Sequence, residues 1–170
     1  ALPISRGPRT LGLDLRADEI GLARAFTTEA RGEARFDTAD LLDDPTWEQR
    51  ATTALDGTPD VVVLAYALHH FPRVEEFVAR LSRYLEPGAL VLVNEENPES
   101  AIFRLKHRVR TWIQDDTDVE WHRTCGAWTA LLEANHFTTS APQGADLLPL
   151  MANLSPAGCW SLVFTAERQP

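Results

Sequence analysis

The sequence predicts an α/β domain with a mainly parallel sheet and helices on both faces. Three observations carry this. Val61 to Ala65 (VVVLA) and Ala89 to Val93 (ALVLV) are apolar at every position, as strands covered on both faces are. Between them Val74, Phe77, Val78, Leu81 and Leu85 recur at helical spacing and form one stripe. The same alternation of strand and helix recurs upstream, and an order of βαβα is the mark of an α/β class.

In chain order, Leu11 to Leu13 reads as a short strand that ends at Asp14. A helix follows whose inner face is Ile20, Ala23 and Phe26 with Ala30, closed by Arg31-Gly32. A second short strand lies near Ala34 to Asp37, with Asp40 just past its end. Trp47 to Leu55 forms a short helix and Asp56-Gly57-Thr58-Pro59 a turn into the VVVLA strand. The next helix begins near Arg73, with Arg73, Glu76, Arg80 and Arg83 opposite its apolar stripe. Glu86-Pro87-Gly88 ends it, because Pro cannot continue a helix and Gly accepts the left-handed terminal conformation. Strand, helix and strand joined this way form a right-handed βαβ unit.

A chain of 170 residues holds one domain with its own core. A net charge of −9 lacks the basic face that a general nucleic-acid binder needs. Two cysteines, Cys125 and Cys159, are too few for a disulfide framework, which points to a reducing cytoplasm. No apolar run approaches the roughly 20 residues that cross a bilayer, and no signal peptide is visible. The expectation is a cytoplasmic protein with no membrane partner.

Parallel strands point their carboxyl ends one way, and open α/β sheets bind ligands at that edge. Tyr66, His69 and His70 follow the first apolar strand, and Asn94, Glu95 and Glu96 the second. Asp14 and Asp40 fall at the ends of two further strands. A carboxylate there can accept from a ribose diol, and a second from an adenine amino group. The plainer alternative for each is a helix cap or a turn residue.

With these motifs in order, the chain resembles the class I S-adenosylmethionine-dependent methyltransferases, in particular the small-molecule type 11/12 group. GLDLRADEIGLAR is similar to that family's second-strand motif and DTADLL to its third. DVVVLAYALHHF resembles the fourth, and LSRYLEPGALVLVNEE the fifth. WHRTCGAWTALLEANHF resembles the late helix that ends in Ala-Gly-Phe in many members; here His136 stands at the glycine position. CWSLVFTAERQP resembles the last strand. The resemblance implies a Rossmann-like sheet with an antiparallel C-terminal strand, and S-adenosylmethionine as cofactor. It implies that Asp14, with Leu15 beside it, binds the ribose hydroxyls and that Asp40 and Leu41 hold the adenine. Ala65 and Tyr66 would border the methionine part, and His69 and His70 would face the junction of cofactor and acceptor. One departure is the glycine-rich loop after the family's first strand, which has no counterpart here. Ala1 to Thr10 reads as the tail of the first helix, so the domain is expected to be N-terminally incomplete. The gap left by that strand would be filled by a preceding segment, by Ala1 to Thr10 or by another chain such as a second copy.

Residues 98–123 are expected to form a lid over the acceptor, within a single domain spanning the chain. Ile102, Leu105, Val109, Trp112 and Ile113 make a helical stripe there. Phe103, Trp112, Trp121, His122 and Trp128 are candidate acceptor-pocket walls, the alternative being an ordinary amphipathic helix with a solvated basic face. His122 and Cys125 lie close in sequence, but no second ligand pair has metal spacing, so no metal site is expected. There is no P-loop, and neither Tyr66 nor Tyr84 has a lysine four residues on. The expected function is methyl transfer to a small molecule, with His70 or His69 as base for a hydroxyl acceptor. The alternatives are an NAD-binding oxidoreductase domain, since an acid after the second strand also serves NAD, or a non-catalytic, partner-binding relative.

Overall fold

A computed structural model describes residues 9–27, 33–113, 121–145 and 161–170. The chain divides into two compact units, Ala1–Pro59 and Asp60–Pro170.

In the first unit, strands β1 (Arg9–Asp14) and β2 (Glu33–Thr38) pair in parallel, joined through helix α1 (Ala17–Thr27). Gly12 faces Phe36 across this pair, and a Cβ at Gly12 would lie 2.6 Å from the Phe36 ring. The glycine is what lets that ring lie across β1. Asp18 and Glu19 occupy the first turn of α1, where the helix dipole favours negative charge. The Arg16 guanidinium hydrogen-bonded to Asp18 holds that carboxyl below its usual range. Ile20 is buried, but Phe26 is 81% exposed. The expected inner face thus fails at Phe26: six residues at about 100° each put it roughly 120° round the helix from Ile20. Ala30, Arg31 and Gly32 lie outside the described residues. Helix α2 (Trp47–Leu55) buries Trp47 and Ala51, one turn apart. It ends at Asp56, whose φ of 60° is left-handed. Arg50 of α2 spans Asp37 and Asp44, at 2.5 Å from each.

The second unit holds a five-stranded sheet of order β3-β4-β7-β5, with β6 also on β7. Strands β3 (Val61–Ala65) and β4 (Leu90–Glu96) are parallel, and helix α3 (Val74–Tyr84) crosses between them. Helices α4 (Ala101–Ile113) and α5 (Cys125–Glu133) follow. Strand β7 (Ser161–Arg168) runs antiparallel to β4, β5 (Phe137–Thr139) and β6 (Gln143–Ala145). The antiparallel last strand is as expected; β5 and β6 are short additions that the sequence reading did not separate.

Helix α3 matches its predicted stripe, with Val74, Phe77, Val78 and Leu81 buried. Gly88, at φ 90°, turns the chain into β4. Thr124 caps α5 by accepting the Ala127 amide, and the turn that follows the helix ends at His136 with φ 65°. That is the position where the resembled family carries glycine, and the backbone is left-handed there without it.

Burial on the sheet alternates with period two. Val91, Val93 and Glu95 are buried, as are their β7 partners Ala166, Phe164 and Leu162. The other face is open: Val61 and Val63 are 57% and 59% exposed, and Leu90 is 41% exposed. The expectation that VVVLA is buried on both faces therefore holds for one face only, the face on which Leu64 lies. Helix α4 also differs from expectation. Leu105 and Val109 are exposed, whereas Phe103 is buried. The inward side runs through Ser100, Phe103 and Lys106, about 100° from the predicted stripe. The side chains of Ile102, Trp112 and Ile113 lie outside the described residues.

Candidate active site

The second unit gathers its polar groups where β3 and β4 end. Tyr66, the first residue past β3, adopts φ 52°, and its amide donates to the Asn94 carbonyl at 2.7 Å. This kink leads into a single 3-10 turn over Leu68–His70. Glu95 of β4 secures the turn. Its Oε1 accepts the amides of Ala67 at 2.9 Å and Leu68 at 2.7 Å, and its Oε2 lies 2.6 Å from His69 Nδ1. Glu95 and His69 are both buried. A carboxylate taken from water is stable only when its lone pairs are met, and three donors meet them here.

Neighbouring residues close around His69. Its carbonyl accepts the Trp121 amide at 2.8 Å. The His122 ring stacks on the His69 ring at 4.8 Å and 26°, and Phe103 meets His122 edge-on at 4.8 Å. Glu96, next along β4 and facing the other way from Glu95, receives Lys106 Nζ on Oε1 at 2.6 Å and has Oε2 3.8 Å from His122 Nδ1. His70 is exposed, with its ring 4.1 Å from that of His69.

Of the residues read from the sequence, His69, His70, Phe103, Trp121 and His122 are thus brought together. Trp128 is 2% exposed and lies in the core of α5, with the Arg123 guanidinium 5.3 Å from its ring. The Trp112 side chain lies outside the described residues. Ala65 is exposed and Tyr66 is 38% exposed at the end of β3. In the first unit, Asp14 is exposed beside an exposed Leu15, and Asp40 is half-buried beside Leu41.

Glu95 is the residue whose role the sequence reading missed. Half of its signal was present: period two puts Glu95 on the same face as Val91 and Val93, but Leu90 and Leu92 make the other face equally apolar, so the pattern did not say which face is the core. The proximity of Glu96 to His122 had no such signal, because 26 residues separate them in sequence. Cys125 is buried and free, and burial, then the charge of Glu99, pushes its thiol up. It is therefore ill-suited to act as a nucleophile.

Within the first unit, two carboxylates have the chemistry to accept from the hydroxyls and amino group of a nucleoside cofactor. Oδ1 of Asp14 accepts the Arg16 amide, and Oδ1 of Asp40 accepts the amides of Leu42 and Asp43. Each carboxylate is oriented by its own turn and keeps Oδ2 as an acceptor. In the second unit, at the end of β4, Asn94 Oδ1 is buried with no hydrogen-bond partner among the described residues.

A family model described as a methyltransferase domain matches residues 5–152. No curated protein matches the chain significantly. Among solved structures, an S-adenosylmethionine-dependent methyltransferase from Mesorhizobium loti is 18% identical with a TM-score of 0.67, over 95% of this chain and 81% of that one. A methyltransferase in complex with the Haloferax volcanii Trm112 methyltransferase activator is 14% identical with a TM-score of 0.68, over 96% and 72%. An O-methyltransferase family 2 protein from Planctomyces limnophilus, in complex with apigenin, is 14% identical with a TM-score of 0.65, over 94% and 43%. With the parallel β3-α3-β4 crossover, the antiparallel β7 and a matching model over most of its length, the chain belongs to the methyltransferase-domain family and has the Rossmann-like fold of the class I enzymes.

Proposed function

We propose that this protein transfers a methyl group from S-adenosylmethionine to a small-molecule acceptor in the cytoplasm. The observation that carries the reading is the pair of turn-oriented carboxylates, Asp14 and Asp40, each with one oxygen left to accept from a ligand. Asp14 receives the ribose hydroxyls, and Asp40, flanked by Leu41, receives the adenine amino group. Ala65 and Tyr66 are assigned to the methionine part by the family resemblance. When bound, S-adenosylmethionine supplies an electrophilic methyl on a sulfonium. The protein's share is orientation and exclusion of water. Of the expected acceptor-covering segment 98–123, residues 114–120 lie outside the described residues; Phe103, Trp121 and His122 wall the acceptor. For a hydroxyl acceptor the proton must leave, and His70, exposed beside the locked His69 ring, is the base.

The test is ligand-dependent melting. S-adenosylhomocysteine should raise the melting temperature of the wild-type protein, and NAD should not. Asp14→Ala and Asp40→Ala should each weaken S-adenosylhomocysteine binding by roughly 1–3 kcal/mol, the cost of unpaired ligand donors. Stabilisation by NAD would transfer the reading to an oxidoreductase. No stabilisation by either would favour a non-catalytic, partner-binding role.

A further inference from the structure

We propose that His69, Glu96 and His122 form a binding site for a divalent transition-metal ion of the zinc type. One ligand atom from each of the three lies within 4.8 Å of the others. An ion bonded at about 2.0–2.2 Å needs its ligands about 3.0–3.5 Å apart, so modest side-chain rotations close the set. The three come from separate pieces of chain: the 3-10 turn after β3, the end of β4 and the stretch before α5. That separation is why no ligand spacing announces the site in the sequence.

The surroundings are those of a ligand set. Glu95 Oε2 holds His69 Nδ1 at 2.6 Å, the carboxylate–imidazole pairing that orients a ligating histidine and directs Nε2 to the ion. The nearly parallel stack of His69 and His122 sets the two rings side by side, and Phe103 covers an edge of His122. Side-chain exposures of 5% for His69, 10% for Glu96 and 11% for His122 describe a site shielded from bulk water but not sealed. Two imidazoles and one carboxylate suit zinc, and three protein ligands leave a fourth position open, as in catalytic rather than structural sites. Magnesium and calcium, which prefer oxygen donors, are disfavoured.

Lys106 is the competing cation. Its Nζ holds Glu96 Oε1 at 2.6 Å, so the ion takes Oε2, the oxygen nearer His122. The ammonium lowers affinity for a second positive charge, and the carboxylates of Glu95 and Glu96 offset it.

The experiment is calorimetric titration of chelator-treated protein with Zn2+, with Co2+ as a spectroscopic substitute. Wild-type protein should take up one Zn2+ per chain and show the visible bands of low-coordinate Co2+. His122→Gln and Glu96→Gln should each lower affinity at least tenfold while circular dichroism stays unchanged. Glu95→Gln should lower affinity about 10–100-fold, as loss of a ligand's orienting carboxylate does. His136→Asn, which alters a histidine outside the set, should bind as wild type does. Absence of one-to-one uptake by the wild-type protein overturns the proposal, as does unchanged affinity in His122→Gln and Glu96→Gln.

Discussion

Glu95 carries its carboxylate on the face of β4 that Val91 and Val93 bury, and it holds two backbone amides and an imidazole there. Removing one member of such a set leaves the others buried and unmet. Glu95→Ala should therefore destabilise the protein by about 3–5 kcal/mol. Glu95→Gln keeps an acceptor for the Ala67 and Leu68 amides and should cost less, roughly 1–3 kcal/mol. Urea denaturation of both variants checks the order. Equal losses would mean that the charge, and not the acceptor oxygens, holds the turn.

At the scale of elements, α1 and α3 show how much one turn of helix decides. Phe77 sits on the buried stripe of α3, where its ring stacks on Phe71 at 4.3 Å. Phe77→Ala should cost about 3–5 kcal/mol, the usual loss for a buried phenylalanine. Phe26 belongs by composition to an apolar stripe but lies on the open side of α1. Phe26→Ala should change stability by no more than about 0.5 kcal/mol. Denaturation midpoints of the two variants test whether the helix faces are assigned correctly. The end of α5 gives a prediction of opposite sign. A left-handed residue with a Cβ costs roughly 1–2 kcal/mol and glycine does not, though glycine loses more entropy on folding. His136→Gly should thus raise stability, by about 0.5–1 kcal/mol, read as a higher melting temperature.

For the molecule as a whole, the open face of β3 and β4 sets solution behaviour. Val61, Val63 and Leu90 adjoin one another through the β3–β4 register and are all exposed. Apolar patches of this kind drive association. A net charge of −9 opposes it by repulsion, which salt screens over about 8–10 Å at physiological ionic strength. The chain should therefore be monomeric at low salt and self-associate as salt and concentration rise. Val63→Glu should suppress that association. Sedimentation velocity across a salt series checks both statements, and a salt-independent monomer would show the patch to be inert. Among the described residues no helix is long and apolar enough to cross a membrane.

The sequence by itself determined what is local or periodic. Continuous apolar runs and a helical stripe located β3, α3 and β4, and Pro87-Gly88 marked the turn between α3 and β4, because each signal is local in the chain. The order of those elements carried the family resemblance, and Asp14, Asp40, His69 and His70 were legible as polar residues following strands. Tertiary structure alone decided which face of each element is covered. VVVLA looks the same whether one side or both are buried, and Phe26 and Phe77 are indistinguishable as residues. Tertiary structure also decided which polar side chains meet: Glu95 with the turn before it, and Glu96 with His122 from beyond α4. Hydrophobic period reports a residue's direction relative to its own backbone. It holds no information about what another segment brings to that side, and the histidine cluster is built from three such segments.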